Sequence, residues 1–410
     1  MAKVTNCRIC YSPDLYTFLK LGPTPLANSF LKFDSGNVEE EEYPLDVCLC
    51  RNCGLVQIDF VVPPEVMFKD YIYLSSTSDT IRAHFAGLAK EVLDEFSKPD
   101  DLIVEIASND GVLLKNMLGK GVRPLGVEPA TNVAKIAEEA GVETVNEFFN
   151  SKMAEKIAAE RGKAAAILAN NVFGHVMDLN DFARGIGTLL ADDGVVIIEV
   201  PYLVELYKRL EFDTIYHEHL SYFTIKPVMF LFEKYGMEVF NVKRFPVHGG
   251  TIRIYAQKKG GKHPINKGVL DGMIAEETSM GLYEPRAYDE FAKKVENLQK
   301  NIIALLKKLK DEGNTIACYG APAKGNTLLN SCKIGTDLID FAVDKSPFKQ
   351  NLLTPGMHIP VYPVEKLKEQ KVDYLLILAW NFADEIMRQQ AEFRESGGKF
   401  IIPVPEPKIV

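Results

Sequence analysis

Two Cys-x2-Cys motifs near the start of this 410-residue chain constrain its fold more than any other feature. Cys7 and Cys10 form the first motif, and Cys50 and Cys53 form the second. Each motif places two thiols on one tight turn, and two such turns together supply the tetrahedral four-sulfur coordination of zinc. Because four thiolates leave no position open for substrate, we expect a structural metal site in residues 1–65. Four independent cysteines are the alternative.

Over the rest of the chain, short apolar runs alternate with helical patterns, as is typical of α/β proteins with largely parallel sheets. Predicted strands of the first set lie at 102–106, 124–127, 164–169 and 195–200, with an antiparallel edge pair at 239–242 and 251–256. Those of the second set lie at 315–320, 341–344, 374–380 and 400–404. Between the sets, apolar residues at helical spacing predict a helix at 285–310. We therefore expect doubly wound α/β units at 66–265 and 266–410.

The charge and hydropathy of the chain exclude several classes of function. The formal net charge is −9, whereas non-specific nucleic-acid binding needs a basic surface, so we expect no nucleic-acid partner. No apolar run approaches the roughly 18 residues of a membrane span, and the first residues lack the apolar core of a signal peptide. We therefore expect a cytoplasmic protein without membrane contact, and we further expect it to be a monomer.

A cluster of titratable side chains lies downstream of the predicted strand at 195–200. Its members are Tyr216, His217, Glu218, His219 and Tyr222. Because α/β proteins place ligands near the carboxyl ends of parallel strands and histidine titrates near neutral pH, we expect an acid/base cluster here. The alternative is a polar loop whose histidines are satisfied by neighbouring groups.

Polar residues also follow the other predicted strands of the first set. The small residues of the turn at 107–111 allow a ligand to approach the backbone. Glu128 follows the next strand, where an acidic group can accept hydrogen bonds from ribose hydroxyls. Asn170, Asn171 and His175 follow the strand at 164–169 and should lie beside the histidine cluster. The arrangement predicts a nucleoside site, although it is not the glycine pattern of a dinucleotide site.

The second α/β unit contains a small-residue turn, predicted at 321–326, that leads into a helix. A helix N-terminus suits phosphate oxygens, and Lys324 adds a positive charge beside it. Asn326 ends the turn. The alternatives are a second dinucleotide site and a duplicated unit that serves only for packing.

Two further features leave their role open. The hydroxyl-rich segment at 71–78, with Tyr71 and Tyr73, is either a solvated linker or a cover over the substrate. Arg253, which follows a turn containing His248, is either structural or reaches the substrate.

An ordered series of motifs gives the chain a family resemblance. The strand containing Glu105, with its Asn109-Asp110-Gly111 turn, resembles motif I of class I S-adenosylmethionine-dependent methyltransferases, and Glu128 matches the ribose-binding acid of that fold. The series also includes the cysteine motifs, the 216–219 cluster and the segments at 21–28, 248–253 and 320–326. In this order, over essentially the whole chain, the motifs resemble the sugar-nucleotide C-methyltransferases of deoxysugar biosynthesis.

The resemblance implies a zinc-binding domain at 1–65, a class I methyltransferase domain at 66–265 and a Rossmann-like sugar-nucleotide-binding domain at 266–410. It implies S-adenosylmethionine as methyl donor, a structural zinc ion, and an NDP-4-keto-6-deoxyhexose that is methylated beside its keto group, at C3, through an enolate. His219 is the expected base, assisted by Tyr216, Glu218 and His175. The expected substrate-binding residues are Asn171, Tyr71, Tyr73, Tyr222, Lys324, Asn326 and Arg253. The expected donor-binding residues are Glu105, Ala107, Asn109, Gly111, Glu128 and Asn170.

Two other functions remain open on the sequence. An O- or N-methyltransferase acting on a sugar nucleotide would need no carbon acid. A non-enzymatic binding protein that contains zinc would need neither the donor site nor the histidine cluster.

Overall fold

The computed structural model describes residues 2–34, 39–68, 74–247 and 249–410. The predicted substrate cover at Tyr71 and Tyr73 lies outside these residues, and so does His248.

The N-terminal region is built from short antiparallel strands. Its elements are β1 (Ala2–Lys3), β2 (Leu15–Thr24), β3 (Leu31–Lys32), β4 (Tyr43–Cys50), β5 (Val56–Ile58), β6 (Phe60–Val61) and α1 (Pro64–Phe68). β4 pairs with both β2 and β5, and in the β2–β4 register Leu15 lies opposite Cys50. The first cysteine motif precedes β2 and the second begins at the last residue of β4, so this pairing brings the two motifs together.

The middle region is a three-layer α/β unit. Its elements are α2 (Asp79–Glu95), β7 (Leu102–Ile106), β8 (Arg123–Val127), α3 (Thr131–Glu139), β9 (Thr144–Val145), α4 (Ser151–Arg161), β10 (Ala164–Asn170), α5 (Leu179–Leu189), β11 (Leu190–Pro201), α6 (Leu203–Arg209), β12 (Ser221–Tyr222), α7 (Ile225–Lys234), β13 (Met237–Phe245) and β14 (Thr251–Lys258). The sheet order is β13-β14-β11-β10-β7-β8-β9, in which β14 runs antiparallel to its two neighbours. The predicted parallel strands and the antiparallel edge pair are confirmed.

The residues of this sheet explain its position in the core. All five residues of β7 are buried, as expected for a strand covered on both faces. α5 begins where the Asp178 carboxylate accepts hydrogen bonds from the backbone N–H groups of Asn180 and Asp181. β7 pairs in parallel with β8, and β10 pairs in parallel with β11. The carboxyl ends of these strands therefore lie at one edge of the sheet, which is where the candidate site lies.

The C-terminal region begins with two helices and continues as a second α/β unit. Its elements are α8 (Lys267–Ser279), α9 (Pro285–Asp311), β15 (Ile316–Tyr319), α10 (Ala323–Cys332), β16 (Phe341–Val343), β17 (Leu352–Leu353), β18 (Pro360–Tyr362), α11 (Lys366–Glu369), β19 (Tyr374–Ile377), α12 (Ala383–Gln389), α13 (Ala391–Glu395), β20 (Lys399–Ile402) and β21 (Lys408–Ile409). Short 3-10 turns lie at Ser75–Thr77, Leu114–Met117, Phe173–His175, Phe212–Thr214 and Trp380–Phe382.

The predicted helix at 285–310 is confirmed as α9. The prediction of a turn at 321–326 is wrong, because α10 begins at Ala323, directly after Pro322. Proline presets a φ angle close to the helical value, so the helix starts early and Lys324 and Asn326 lie inside it.

The N-terminal region shares strands with both α/β units. β12, from the middle region, extends the N-terminal sheet by pairing with β5. β3 adds to the C-terminal sheet by pairing with β17. One hydrophobic cluster accordingly runs from Leu45 through Ile198 to Leu376 and joins all three regions. None of the helices in the described ranges combines the length and apolar composition that crossing a bilayer requires.

Candidate active site

The four motif thiols lie together as the sequence predicts. The ligand atoms of Cys7, Cys10, Cys50 and Cys53 all lie within 4.8 Å of one another. The Cys7–Cys53 and Cys10–Cys50 sulfur pairs are each separated by 3.5 Å. A tetrahedral zinc ion with Zn–S bonds of about 2.3 Å requires sulfur separations of about 3.8 Å, so the cluster fits a structural zinc ion.

The backbone after β7 makes a sharp turn at the carboxyl edge of the middle sheet. Ala107, Asn109 and Gly111 have φ angles of 53°, 50° and 71°. A Cβ atom at Gly111 would lie 3.0 Å from a methyl carbon of Val142, so this turn packs too closely for a side chain there. The Glu128 carboxylate fixes the turn by accepting hydrogen bonds from the N–H groups of Asn109 and Ala130, each at 2.9 Å.

Several buried polar atoms face this turn. Asn170 Nδ2 lies 3.2 Å from Glu105 Oε1. Burial raises the pKa of Glu105 to about 8, so its carboxyl is mostly protonated at neutral pH. Among the described residues, Glu105 Oε2, Ser108 Oγ and Asn170 Oδ1 have no hydrogen-bond partner. Buried polar groups are normally paired, so these atoms suit a polar ligand such as the nucleoside part of S-adenosylmethionine.

The segment before α2 lies over the same turn, a contact that the sequence does not indicate. The N–H of Ser75 donates to Asn109 Oδ1 at 2.9 Å, and the N–H of Ser76 donates to Asp110 Oδ2 at 3.2 Å. The segment that leads into α2 is thereby tied to the turn after β7.

His219 is held by two hydrogen bonds that define its tautomer. Its Nδ1 lies 2.6 Å from the backbone oxygen of Thr214, and its Nε2 lies 2.8 Å from the hydroxyl of Tyr216. A carbonyl oxygen can only accept, so Nδ1 carries a proton. In the neutral form of the ring, Nε2 therefore holds the lone pair and accepts from the Tyr216 hydroxyl.

His175 lies against this imidazole. The ring centroids of His175 and His219 are 4.8 Å apart. A hydrogen bond from the N–H of Leu220 to the oxygen of Gly174, 2.8 Å long, brings the two loops together. Burial lowers the pKa of His175 well below its ordinary value, so this ring stays neutral. Asn171, with φ of 54°, lies at the same strand end.

The N-terminal region reaches the site through Asn28, whose role the sequence did not predict. Its Nδ2 donates to Glu218 Oε1 at 2.6 Å. Asn326 Nδ2 holds the neighbouring carbonyl of Ala27 at 2.7 Å, and the Asn326 side chain is fully buried. The only sequence signal for Asn28 was its place in the recognised 21–28 segment. All three regions of the chain therefore converge on Glu218.

His217 does not join His219. It is 1% exposed, and its Nε2 lies 3.1 Å from the backbone oxygen of Pro44. Burial lowers its pKa. The predicted pair of acid/base histidines is thus separated, because His217 packs on the N-terminal sheet and His219 lies toward the middle region.

The structure places Tyr222 and Arg253 in the interior. Tyr222 is 5% exposed and belongs to the hydrophobic cluster shared by the three regions. The Arg253 side chain is 2% exposed, and its nitrogens lie 2.9 Å from oxygens of Glu199 and Glu91. The substrate contact expected for Arg253 is corrected to a structural one, because its guanidinium is enclosed with buried carboxylates. The substrate contact expected for Tyr222 stays a prediction, since its buried hydroxyl has no hydrogen-bond partner among the described residues.

Lys324 is likewise enclosed. Its ammonium lies 4.2 Å from the ring centre of Trp380 and hydrogen bonds to Asn381 Oδ1. Burial lowers the pKa of Lys324 to about 8, opposed by the charges of Asp213 and Glu211. The structure therefore gives Lys324 buried carboxylates as its electrostatic partners, where the sequence predicted an open phosphate site.

Comparison with known proteins agrees with this architecture. The family models that match are described as "Putative zinc binding domain" at residues 7–68, "Methyltransferase domain" at residues 81–242 and "C-methyltransferase C-terminal domain" at residues 246–405. The C-methyltransferase NovU of Streptomyces niveus is 39% identical over 408 residues, covering 99% of this chain and 97% of NovU.

Solved structures resemble this chain only weakly and over less than half of its length. A possible histamine N-methyltransferase of Thermotoga maritima is 19% identical and covers 44% of this chain and 92% of its own, with a TM-score of 0.33. The magnesium protoporphyrin IX methyltransferase of Synechocystis PCC 6803, solved with bound S-adenosylmethionine, is 9% identical and covers 43% and 79%, with a TM-score of 0.34. Neither likeness bears on function.

The fold class, the methyl donor and the zinc site predicted from the sequence are confirmed by the matched domains and the four-cysteine cluster. The chain is an S-adenosylmethionine-dependent methyltransferase, and it belongs to the C-methyltransferase family.

Proposed function

We propose that this enzyme methylates the carbon beside the keto group of an NDP-4-keto-6-deoxyhexose, at C3, with His219 as the base. The observation that supports this most is the orientation of the His219 ring, whose Nδ1 donates to the Thr214 oxygen while Nε2 lies 2.8 Å from the Tyr216 hydroxyl. A carbon next to a carbonyl becomes nucleophilic only after it loses a proton, and a neutral histidine is suited to remove it near neutral pH. When bound, S-adenosylmethionine supplies an electrophilic methyl group on a positively charged sulfur.

The residues around His219 have distinct tasks in this proposal. His219 Nε2 takes the proton, and the electron pair of the broken C–H bond moves into the enolate and then forms the new C–C bond. The Tyr216 hydroxyl leaves Nε2 as substrate enters and donates instead to the developing enolate oxygen. Glu218, held by Asn28, contacts the sugar. His175, which burial keeps neutral, does not compete for the proton.

The proposed substrate position is the junction of the three regions. The nucleotide would extend from there toward the C-terminal region. We further propose that the enzyme acts in the cytoplasm as a monomer, without nucleic-acid or membrane partners.

The decisive variant is His219→Asn, assayed with a dTDP-4-keto-6-deoxyhexose and S-adenosylmethionine. We expect turnover to fall by about 10²- to 10⁴-fold, the usual contribution of a general base. The same substitution at His263, a half-buried histidine stacked on Phe240, should leave turnover unchanged. Full turnover in His219→Asn would remove the proposed base.

Exchange of deuterium from solvent into the sugar carbons tests the carbon chemistry directly. It is measured by NMR on the enzyme with the sugar nucleotide and no methyl donor. Exchange at C3 supports the proposal. Exchange at C5, the other carbon beside a 4-keto group, would move the reaction to that carbon. No exchange at either carbon would favour methyl transfer to oxygen or nitrogen.

A further inference from the structure

The orientation of His219 depends on a short turn that the C-terminal region holds. The turn Phe212–Thr214 supplies the Thr214 oxygen that accepts from His219 Nδ1 at 2.6 Å. A shift of this carbonyl would change both the direction of the imidazole and the strength with which its tautomer is fixed. Whatever fixes the turn therefore also positions the base.

The turn is fixed from outside the middle region. Asp213 is fully buried, and its Oδ2 accepts a hydrogen bond from Trp380 Nε1 at 2.6 Å. Trp380 is 8% exposed and belongs to the C-terminal region. Lys324 lies over the face of the Trp380 ring at 4.2 Å, and its charge acts on both Asp213 and Glu211. Within the turn, the backbone oxygen of Glu211 accepts from the N–H of Thr214 at 3.1 Å and from its hydroxyl at 2.7 Å.

A buried indole–carboxylate bond is an unusual way to join two packed regions. Apolar contact would join them without the cost of burying a carboxylate, and exchanging a buried ion pair for apolar groups is often neutral or stabilising. Buried polar bonds add a fixed direction, since a short bond to a planar carboxylate tolerates little rotation. A fixed direction is what a base needs when its nitrogen must point at one proton.

We propose that Trp380 and Asp213 are positioning residues for His219, through which the C-terminal region orients the base. The indole N–H anchors the Asp213 carboxylate, Asp213 lies beside Thr214 in the turn Phe212–Thr214, and the Thr214 carbonyl accepts from Nδ1 of the imidazole. This inference rests on the proposed role of His219 as base, and it gives the C-terminal region a part in proton removal beyond binding substrate.

The first test is Trp380→Phe, which removes the donor but keeps an aromatic side chain. The probe is the dTDP-4-keto-6-deoxyhexose without methyl donor, and the readout is the rate of deuterium exchange at the sugar carbon. We expect exchange and kcat to fall by about 10- to 100-fold, as for other small misplacements of a catalytic group. KM for the sugar nucleotide and Kd for S-adenosylmethionine should change less than about twofold, and the acidic limb of the pH–rate profile should move.

Two variants of Asp213 keep the test decisive if Trp380→Phe folds poorly. Asp213→Leu has a similar shape but no acceptor, so it should lose exchange to the same extent. Asp213→Asn keeps an oxygen that accepts from the indole N–H, so it should retain most of the exchange rate. Equal exchange rates in the Leu and Asn variants would contradict the proposal.

Tyr202→Phe is the matched control. It removes a 2.7 Å hydrogen bond from a buried hydroxyl to Glu277, a carboxylate of α8, without touching the 212–214 turn. We expect a lower melting temperature with an unchanged exchange rate and pH profile. Wild-type exchange and pH profile in Trp380→Phe would show that the indole bond only stabilises the fold. Wild-type exchange in His219→Asn would instead overturn the proposed base itself.

Discussion

At the scale of single residues, Glu105 shows how one buried carboxyl links the donor site to stability. It is 3% exposed at the carboxyl end of β7 and receives one hydrogen bond, from Asn170. Burial raises its pKa to about 8, with smaller contributions from the charges of Asp110 and Glu128. The protein therefore keeps a neutral acid at the edge where we expect the charged donor to bind.

Glu105→Gln should flatten the dependence of stability on pH. Folding raises the pKa of Glu105 from 4.5 to about 8, so its stabilising contribution is complete below its unfolded pKa and is lost as the pH rises through its folded pKa. We expect the wild-type melting temperature to fall more steeply than that of Glu105→Gln between about pH 5 and about pH 8. Differential scanning fluorimetry measures this. Glu139→Gln, at an exposed position, should keep the wild-type slope, and a parallel Glu105→Gln curve would contradict the assigned protonation state.

At the scale of secondary-structure elements, a buried ion-pair network joins α2 to β11 and β14. Arg253 lies opposite Glu199 in the antiparallel register and also reaches Glu91 on α2. The same helix begins beside the turn after β7, where the N–H of Ser76 donates to Asp110 Oδ2. The network thus connects the edge strands with the segment that leads toward the site.

Arg253→Met should destabilise the protein without weakening substrate binding. Removing the guanidinium leaves Glu199 buried without its charged partner, a change that costs about 3–5 kcal/mol in comparable cases. Urea denaturation measures the free energy of unfolding. Lys90→Met, which breaks an exposed pair with Asp94, should leave the free energy of unfolding nearly unchanged, because solvent screens such a pair. A raised KM for the sugar nucleotide with unchanged stability would instead support the substrate contact that the sequence predicted for Arg253.

At the scale of the whole molecule, the N-terminal region with its four-cysteine cluster contacts both of the other regions. β5 pairs with β12, β3 pairs with β17, and Asn28 bonds to Glu218. The residues that we expect to bind the donor, in contrast, lie on the middle sheet and its loops. Losing the metal should therefore affect stability and turnover more than donor affinity.

Chelation of zinc should lower the melting temperature and kcat, while Kd for S-adenosylmethionine measured by calorimetry on the remaining folded protein stays the same. Cys53→Ser should reproduce the effect of the chelator. Cys48 lies nearby, but its sulfur contacts the backbone oxygen of Gln57, so Cys48→Ala should retain the metal. A chelated protein with unchanged kcat would show that the Asn28 contact does not depend on the metal.

The sequence by itself determined the cysteine cluster, the parallel strands and the polar residues at their carboxyl ends, because each depends on spacing along a short stretch of chain. Only the tertiary structure decided which of these residues share a site. His217 and His219 separate because different regions pack on them, Arg253 and Lys324 lie among buried carboxylates, and Asn28 reaches Glu218 across 190 positions of sequence. Contacts between distant segments arise from packing of the whole core, which no local pattern of residue types records.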